Sequence, residues 1–236
     1  LLGQRRRWRR QFELRRRRRR RLVTSRAIER FVASLSKVEV SARACNQFSR
    51  DTGDAQGNAI RRRNLRLYLE QMTEIAPRIL LIGEAVSYRG GRLTGIAFVS
   101  ESLMLSGVDT RSGRLLGADR GYRKATPGAR LSTEASATMV WGTIRDIAPL
   151  PLLWNAFPFH PFHEDNPDSN RAPSAAELLL GQPFIESLLR LFDFEKVVAI
   201  GNSASLSLQR MNIAHTKVRH PSQGGKNLFV EGMSKL

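Results

Sequence analysis

The chain has 236 residues, enough for one sizeable hydrophobic core with a dependent extension. Its formal net charge of +18, from 39 Lys and Arg against 21 Asp and Glu, makes a polyanion the first expected partner. The single cysteine, Cys45, excludes an intramolecular disulfide framework and a metal site built from cysteines alone, and no apolar run approaches the length of a membrane span.

The N-terminal segment, residues 1–21, holds twelve arginines and one glutamate, a net charge of +11, so residues 22–236 keep +7. It has no apolar periodicity and its charges repel one another, which predicts a disordered extension. The segment could be a nonspecific arm for DNA, or a tether to RNA or the ribosome. The alternative is that it is not native sequence, since the chain begins with leucine and its start could be assigned too far upstream.

Residues 22–236 are predicted to form a single domain that opens with two helices. The first covers residues 24–37, with Thr24 or Ser25 as its N-cap. Its apolar residues recur at i, i+3, i+4 and i+7, which places them on one helical face. They are Ile28, Phe31, Val32 and Leu35.

The second predicted helix covers residues 59–72 and follows a polar, glycine-containing linker. Leu65, Leu69 and Met72 share one face, whereas Arg63 and Arg66 lie off it. This pattern is typical of a packed helix, and we expect its arginines to be solvated.

From Arg78 the pattern changes to alternating strands and helices. The run ILLIG is typical of a strand buried on both faces, and similar runs lie at residues 151–155, 196–201 and 214–219. A helix is predicted at residues 132–147, and another follows the third strand. Strands that alternate with helices predict a three-layer α/β/α fold around a mostly parallel, four-stranded sheet.

A further helix is predicted between the second and third strands. Ser174, followed three residues later by Glu177, forms a capping box sequence. After Pro183, apolar residues recur at i, i+1, i+4, i+5 and i+8, which indicates an inward helical face. They are Phe184, Ile185, Leu188, Leu189 and Phe192.

Three polar segments directly follow predicted strands. They are GEAVSYRGGR from Gly83, NAFPFHPFH from Asn155 and HPSQGGKN from His220. Ligands of open α/β sheets bind beyond the carboxyl ends of the strands. The sequence therefore predicts one site where the three segments converge.

The three segments, in this order, resemble the motifs of the uracil-DNA glycosylase superfamily. The matching residues are Gly83-Glu84-Ala85, Asn155 in LLWNAFPF, and His220-Pro221-Ser222. TGIAFVSE, SNRAPSAAEL and KVVAIGNSAS add to the likeness, which spans about residues 78–229. The two N-terminal helices lie outside the shared motifs.

The resemblance implies a base-binding pocket formed by Gly83, Ala85, Phe98 and Asn155. Phe98 would stack on a base flipped out of the DNA, and Asn155 would read its Watson–Crick edge. An amide offers both an acceptor and donors, so it can bind the adjacent carbonyl and N–H of uracil.

The last motif implies a catalytic histidine and a DNA contact. His220 would donate a hydrogen bond to the base carbonyl as charge develops on the leaving base. Ser222, Gln223, Gly224 and Lys226 would contact a DNA phosphate, since glycine allows close backbone approach.

Glu84 is the candidate for positioning the attacking water, with a structural carboxylate that caps loop amides as the alternative reading. Some branches of the superfamily carry an aspartate in this motif, but Ala85 follows Glu84 here. Val86 and Ser87 also stand where Pro-Gly is usual in the Gly-Glu-Ala branch.

No cofactor or metal is expected. The Gly-Glu-Ala branch commonly holds an iron–sulfur cluster on four cysteines, which Cys45 alone cannot build. His160 and His163 are separated by a proline and have no fixed third ligand, so their segment is interpreted as a loop near DNA. Arg89 and Arg92, in the first loop, are candidate phosphate contacts, with solvated loop arginines as the alternative.

The predicted function is hydrolysis of uracil from DNA by a monomeric repair glycosylase. The alternatives are the same reaction on hypoxanthine or xanthine and a non-catalytic DNA-binding relative. No secretory signal is evident, so we expect a cytoplasmic protein, associated with the nucleoid if the source is a bacterium.

Overall fold

The computed structural model describes residues 25–51, 54–164 and 166–236. The arginine-rich segment and Thr24 lie outside the described residues. The helices are α1 (25–35), α2 (Ala55–Ile75), α3 (Gly91–Thr94), α4 (Glu101–Ser106), α5 (Ala135–Ile144), α6 (Ala175–Leu191), α7 (Asn202–Arg210) and α8 (Lys226–Ser234), with a 3₁₀ turn at Ala118–Arg120. The strands are β1 (Ala44–Cys45), β2 (Ile79–Ala85), β3 (Val108–Thr110), β4 (Gly113–Leu115), β5 (Leu152–Phe157), β6 (His160–Pro161), β7 (Lys196–Ile200) and β8 (Thr216–Val218).

A four-stranded parallel sheet in the order β5-β2-β7-β8 forms the centre of the fold, with helices on both faces. Leu80, Leu81 and Ile82 of β2 are completely buried, as a strand covered on both sides requires. In β5, which pairs with β2, all six residues are buried. The predicted three-layer α/β/α class is confirmed, and each of the four predicted strands overlaps an observed one.

The helix α2 begins four residues earlier than predicted, because Asp54 caps it by accepting a hydrogen bond from Gly57 N–H. Leu65, Leu69 and Met72 are completely buried, as predicted. The expectation that the arginines of α2 are solvated is wrong for Arg63, whereas the side chain of Arg66 is 40% exposed. Arg63 donates to the carbonyl of Gly121.

A second difference from the sequence-based prediction concerns α6, which runs through Pro183 as one continuous helix. The capping box of Ser174 and Glu177 is present as predicted. The predicted inward face is also observed, with Phe184, Ile185 and Leu188 buried. Tertiary packing of this face against the sheet therefore outweighs the hydrogen bond that proline cannot donate.

Two antiparallel strand pairs were not predicted from the sequence. One is the short β3–β4 hairpin, and the other pairs β1 with β6. His160 lies in β6 and is completely buried, with its ring nitrogens 2.9 Å and 3.0 Å from the carbonyls of Val86 and Pro167. The interpretation of His160 as part of a loop is therefore wrong. No helix within the described residues is long and apolar enough to cross a membrane.

Glu177 anchors the segment that leads from β6 to α6. Its carboxylate accepts two hydrogen bonds from Arg171, at 2.6 Å and 2.7 Å, and others from Ser174 N–H and Ser41 Oγ. Burial alone raises the pKa of Glu177, but these hydrogen bonds outweigh burial and hold the pKa at about 2. Arg171 also donates to the carbonyl of Arg43 at 2.9 Å, which joins the segment to the chain just before β1.

Glu177→Gln is expected to lower the free energy of unfolding by about 2–3 kcal/mol at pH 7. Because the folded pKa lies below the ordinary value, this stabilisation is present above about pH 4.5 and is lost as the pH falls towards 2. Denaturant unfolding at pH 7 and at pH 3 measures the difference. Glu186→Gln, in an exposed pair with Arg190 on the same helix, is the control and should change stability by less than about 1 kcal/mol. An equal loss in both variants would contradict the prediction.

Candidate active site at the carboxyl edge of the sheet

The register of the sheet brings two predicted site residues side by side. Gly83 of β2 pairs with Asn155 of β5 at the carboxyl ends of both strands. A Cβ atom on Gly83 would lie 2.6 Å from Asn155 Oδ1 and 2.3 Å from Phe98 Cζ. Only glycine leaves room for the amide and the ring to approach the strand this closely. Ala85, two residues on, is half-buried and pairs with Phe157.

Asn155 presents a buried amide at this edge. Asn155 is only 2% exposed, and its Oδ1 has no hydrogen-bond partner among the described residues. A buried acceptor without a partner is costly, and its retention calls for an explanation. Binding a donor from a ligand at this edge would satisfy it.

Phe98 is held in an unusual backbone conformation. Its φ angle is +55°, in the left-handed region that bulky residues rarely adopt. Trp141 of α5 supports this conformation by donating its Nε1–H to the carbonyl of Phe98 at 2.9 Å. Such local strain is typical of positions where the direction of a side chain matters.

His220 lies next to Phe98, with the two ring centroids 6.5 Å apart. Ser222 N–H donates to His220 Nδ1 at 3.2 Å, and Ser222 Oγ lies 2.7 Å from the same nitrogen. Because Nδ1 accepts, the proton of the neutral imidazole is assigned to Nε2, from which it can be donated. Burial lowers the pKa of His220, an effect that Glu84 opposes and Arg219 reinforces.

Glu84 lies at the same edge, close enough to His220 for its charge to act on the histidine. Its Oε2 accepts a hydrogen bond from the hydroxyl of Ser203, at the start of α7. Sequence reasoning missed Ser203. It lies three residues beyond the end of β7, so the rule that polar residues beyond strand ends form the site could have found it.

The turn after His220 contains two residues with left-handed backbone conformations. Gln223 and Gly224 both have positive φ angles, of 51° and 75°. Gly225 N–H donates to the carbonyl of Ser222 and precedes α8, which begins at Lys226. Gln223, Gly224 and Lys226 are exposed, so the turn presents its backbone and a lysine to solvent at one end of the site.

The two arginines of the first loop differ in their surroundings. Arg89 is exposed, with its guanidinium 5.3 Å from the centre of the Tyr88 ring. Arg92 instead donates to Asp168 at 2.6 Å and to the carbonyl of Pro167. Arg92 therefore joins α3 to the segment after β6, whereas Arg89 points to solvent.

A cleft of about 650 Å³ lies elsewhere, between the end of α2 and the β3–β4 hairpin. Its lining includes Ile75 and Pro149, which precede β2 and β5. The cleft is thus at the amino end of the sheet and contains none of the predicted site residues. Within the described residues, no group of three or more His, Cys, Asp and Glu side chains could hold a metal ion.

No protein-family model matches the sequence, and no curated protein matches it significantly. Among solved structures, the chain is similar to the crystal structure of wild-type SMUG2 from Pedobacter heparinus. The TM-score is 0.60 at 14% sequence identity, over 90% of this chain and 95% of that chain. SMUG2 is a member of the uracil-DNA glycosylase superfamily, and at this identity the likeness establishes the shared fold.

Proposed function

We propose that the protein is a DNA glycosylase that hydrolyses the N-glycosidic bond of uracil in DNA. The observation that carries the proposal is the convergence of the motif residues at one edge of the sheet. Gly83 contacts both Asn155 and Phe98, and His220 lies beside Phe98 with Glu84 nearby. The similarity of the fold to SMUG2 supports the same assignment.

In the proposed mechanism, the uracil leaves the DNA stack and enters the edge site at a cost of a few kcal/mol. Phe98 stacks on the base. The Asn155 amide accepts from the base N–H through Oδ1 and donates to the neighbouring carbonyl through Nδ2. These contacts offset the cost of flipping and distinguish uracil from bases with another edge.

The chemical step breaks the bond between C1′ of the sugar and N1 of uracil, and the bonding electrons leave with the base. His220 stabilises the negative charge that develops on the base carbonyl by donating from Nε2. Water adds its oxygen to C1′ and loses one proton, and the uracil anion takes up one proton from solvent, so that neutral uracil is released. Glu84 orients this water and accepts its proton.

Incubation of the full chain with a uracil-containing oligonucleotide, followed by alkaline cleavage of abasic sites, tests the proposal. The control is a variant that carries both Asn155→Asp and His220→Ala. Strand scission above the control is expected, and scission no greater than in the control would refute uracil excision. Oligonucleotides with hypoxanthine or xanthine in the same assay report whether another deaminated base is the substrate.

Glu84→Gln is expected to lower the single-turnover rate of excision by about 10²-fold, because the amide cannot accept the proton of the water. DNA affinity should change little, since the amide can still accept from Ser203. Ser203→Ala is the matched control, which removes that hydroxyl but keeps the carboxylate, and a smaller loss is expected. A Glu84→Gln variant as fast as the wild type would instead assign Glu84 a structural role.

A further inference from the structure

Glu134 is a buried acidic residue to which the proposed mechanism gives no role. It precedes α5, but its side chain does not cap that helix. Ser136 Oγ donates to Glu134 Oε1 at 2.8 Å, whereas Oε2 is buried and has no hydrogen-bond partner among the described residues. Burying a carboxyl oxygen without a full set of partners is unfavourable, so the position calls for another explanation.

The carboxyl group of Glu134 is packed against the loop that follows β2. A Cβ atom on Gly90 would lie only 1.9 Å from Glu134 Oε2. The carboxyl therefore occupies the space that any larger residue at position 90 would need. Gly90 N–H also lies 3.1 Å from Ser87 Oγ, which closes the loop on itself.

This loop, residues 87–90, connects two parts of the candidate active site. It begins three residues after Glu84, carries Arg89 on its exposed side and leads into α3, for which Gly90 is the N-cap. The helix that follows Glu134, α5, also supports Phe98 through Trp141. The residue before α5 thus contacts the loop, and Trp141 within α5 supports the backbone of Phe98, whose ring is proposed to stack on the base.

We propose that Glu134 is a positioning residue, whose carboxyl reaches Gly90 and holds the 87–90 loop in place beside the candidate active site. The consequence for catalysis rests on the proposed glycosylase function, but the contact with the loop does not. In this role the length of the side chain at position 134 matters more than its charge. Burial raises the pKa of Glu134, although the neighbouring hydroxyls of Ser136 and Ser87 oppose the effect, so an uncharged group of the same length suits the position.

Two variants distinguish the effect of side-chain length from the effect of side-chain charge. Glu134→Gln keeps the length and removes the charge, whereas Glu134→Asp keeps the charge and withdraws the carboxyl by one methylene. Aspartate is also favoured at helix N-caps, so the second variant is expected to fold. Hydrogen exchange of the backbone amides in residues 86–95, followed by mass spectrometry, reports on the loop whether or not the protein acts on uracil.

Faster exchange of this segment is expected in Glu134→Asp and near wild-type exchange in Glu134→Gln, with β7 unchanged in both. Single-turnover excision should fall by about tenfold to a hundredfold in Glu134→Asp, with DNA affinity nearly unchanged, and within about threefold in Glu134→Gln. Wild-type exchange in Glu134→Asp, or faster exchange in Glu134→Gln alone, would overturn the positioning role. If the wild-type protein excises no uracil, the glycosylase proposal fails and the exchange data alone decide the role of Glu134.

Discussion

Asn155→Asp is expected to lower the rate of uracil excision by on the order of 10³-fold while the fold is retained. The change removes the amide N–H that would donate to the base carbonyl. It also places a second oxygen, and in its ionised form a negative charge, opposite that carbonyl. Because Asn155 is only 2% exposed, little solvent is available to screen the repulsion.

The measurement is single-turnover excision with enzyme in excess, with thermal unfolding as the check on the fold. Asn155→Ala is the companion variant, since it removes the same donor without adding a charge. If the excision rate falls less in Asn155→Ala than in Asn155→Asp, the difference between the two variants measures the added repulsion, and the fall in Asn155→Ala measures the lost hydrogen bond. Excision by Asn155→Asp at the wild-type rate would contradict base recognition by Asn155.

The central sheet could be predicted from the sequence because each of its strands has a recognisable local sequence pattern. Short apolar runs such as the one at Leu80–Ile82 are bounded by glycine or polar residues, and a strand buried on both faces needs no partner to be identified. Parallel strands also end at one edge, which is why Gly83 and Asn155 could be expected together before their pairing was known.

The partners of the charged side chains could not be predicted in this way. Arg63 looks like a solvated residue on a basic helix, yet it donates to a carbonyl 58 positions away. Ser203 meets Glu84 across 119 positions. Such contacts depend on how the layers pack, and a periodic pattern specifies the face of a residue but not the atom it meets there.

The same limit applies to Pro183 and Glu134. Local propensity predicts that proline begins or ends a helix, but the buried face of α6 is long enough to carry the helix through it. Nothing in the sequence near Glu134 indicates that its carboxyl is buried against Gly90. The motif residues could be proposed because a family likeness adds information that periodicity lacks, whereas residues outside the motifs required the structure.

His220→Ala is expected to lower the excision rate by about 10²–10³-fold, the typical effect of removing one donor from a site that stabilises developing negative charge. The loss should appear in the rate of the chemical step, with DNA affinity changed much less. Ser222→Ala is the matched variant. It removes the hydroxyl 2.7 Å from His220 Nδ1 but leaves the Ser222 N–H that holds the ring, so a smaller loss is expected.

The pH dependence gives an independent test of His220 as a neutral donor. An ordinary histidine is half protonated at about pH 6.5. Because burial lowers the pKa of His220, more than half of its imidazole is neutral at that pH, and the neutral fraction approaches one as the pH rises. The ratio of wild-type to His220→Ala excision rates should therefore stay nearly constant, rising by less than about twofold from pH 6.5 to pH 8. A ratio that falls steadily as the pH rises through this range would show that the imidazolium acts on the base, because only the charged form is lost there. A nearly constant ratio of about 10² or more would support donation from Nε2 of the neutral ring, in the tautomer that the Ser222 N–H selects.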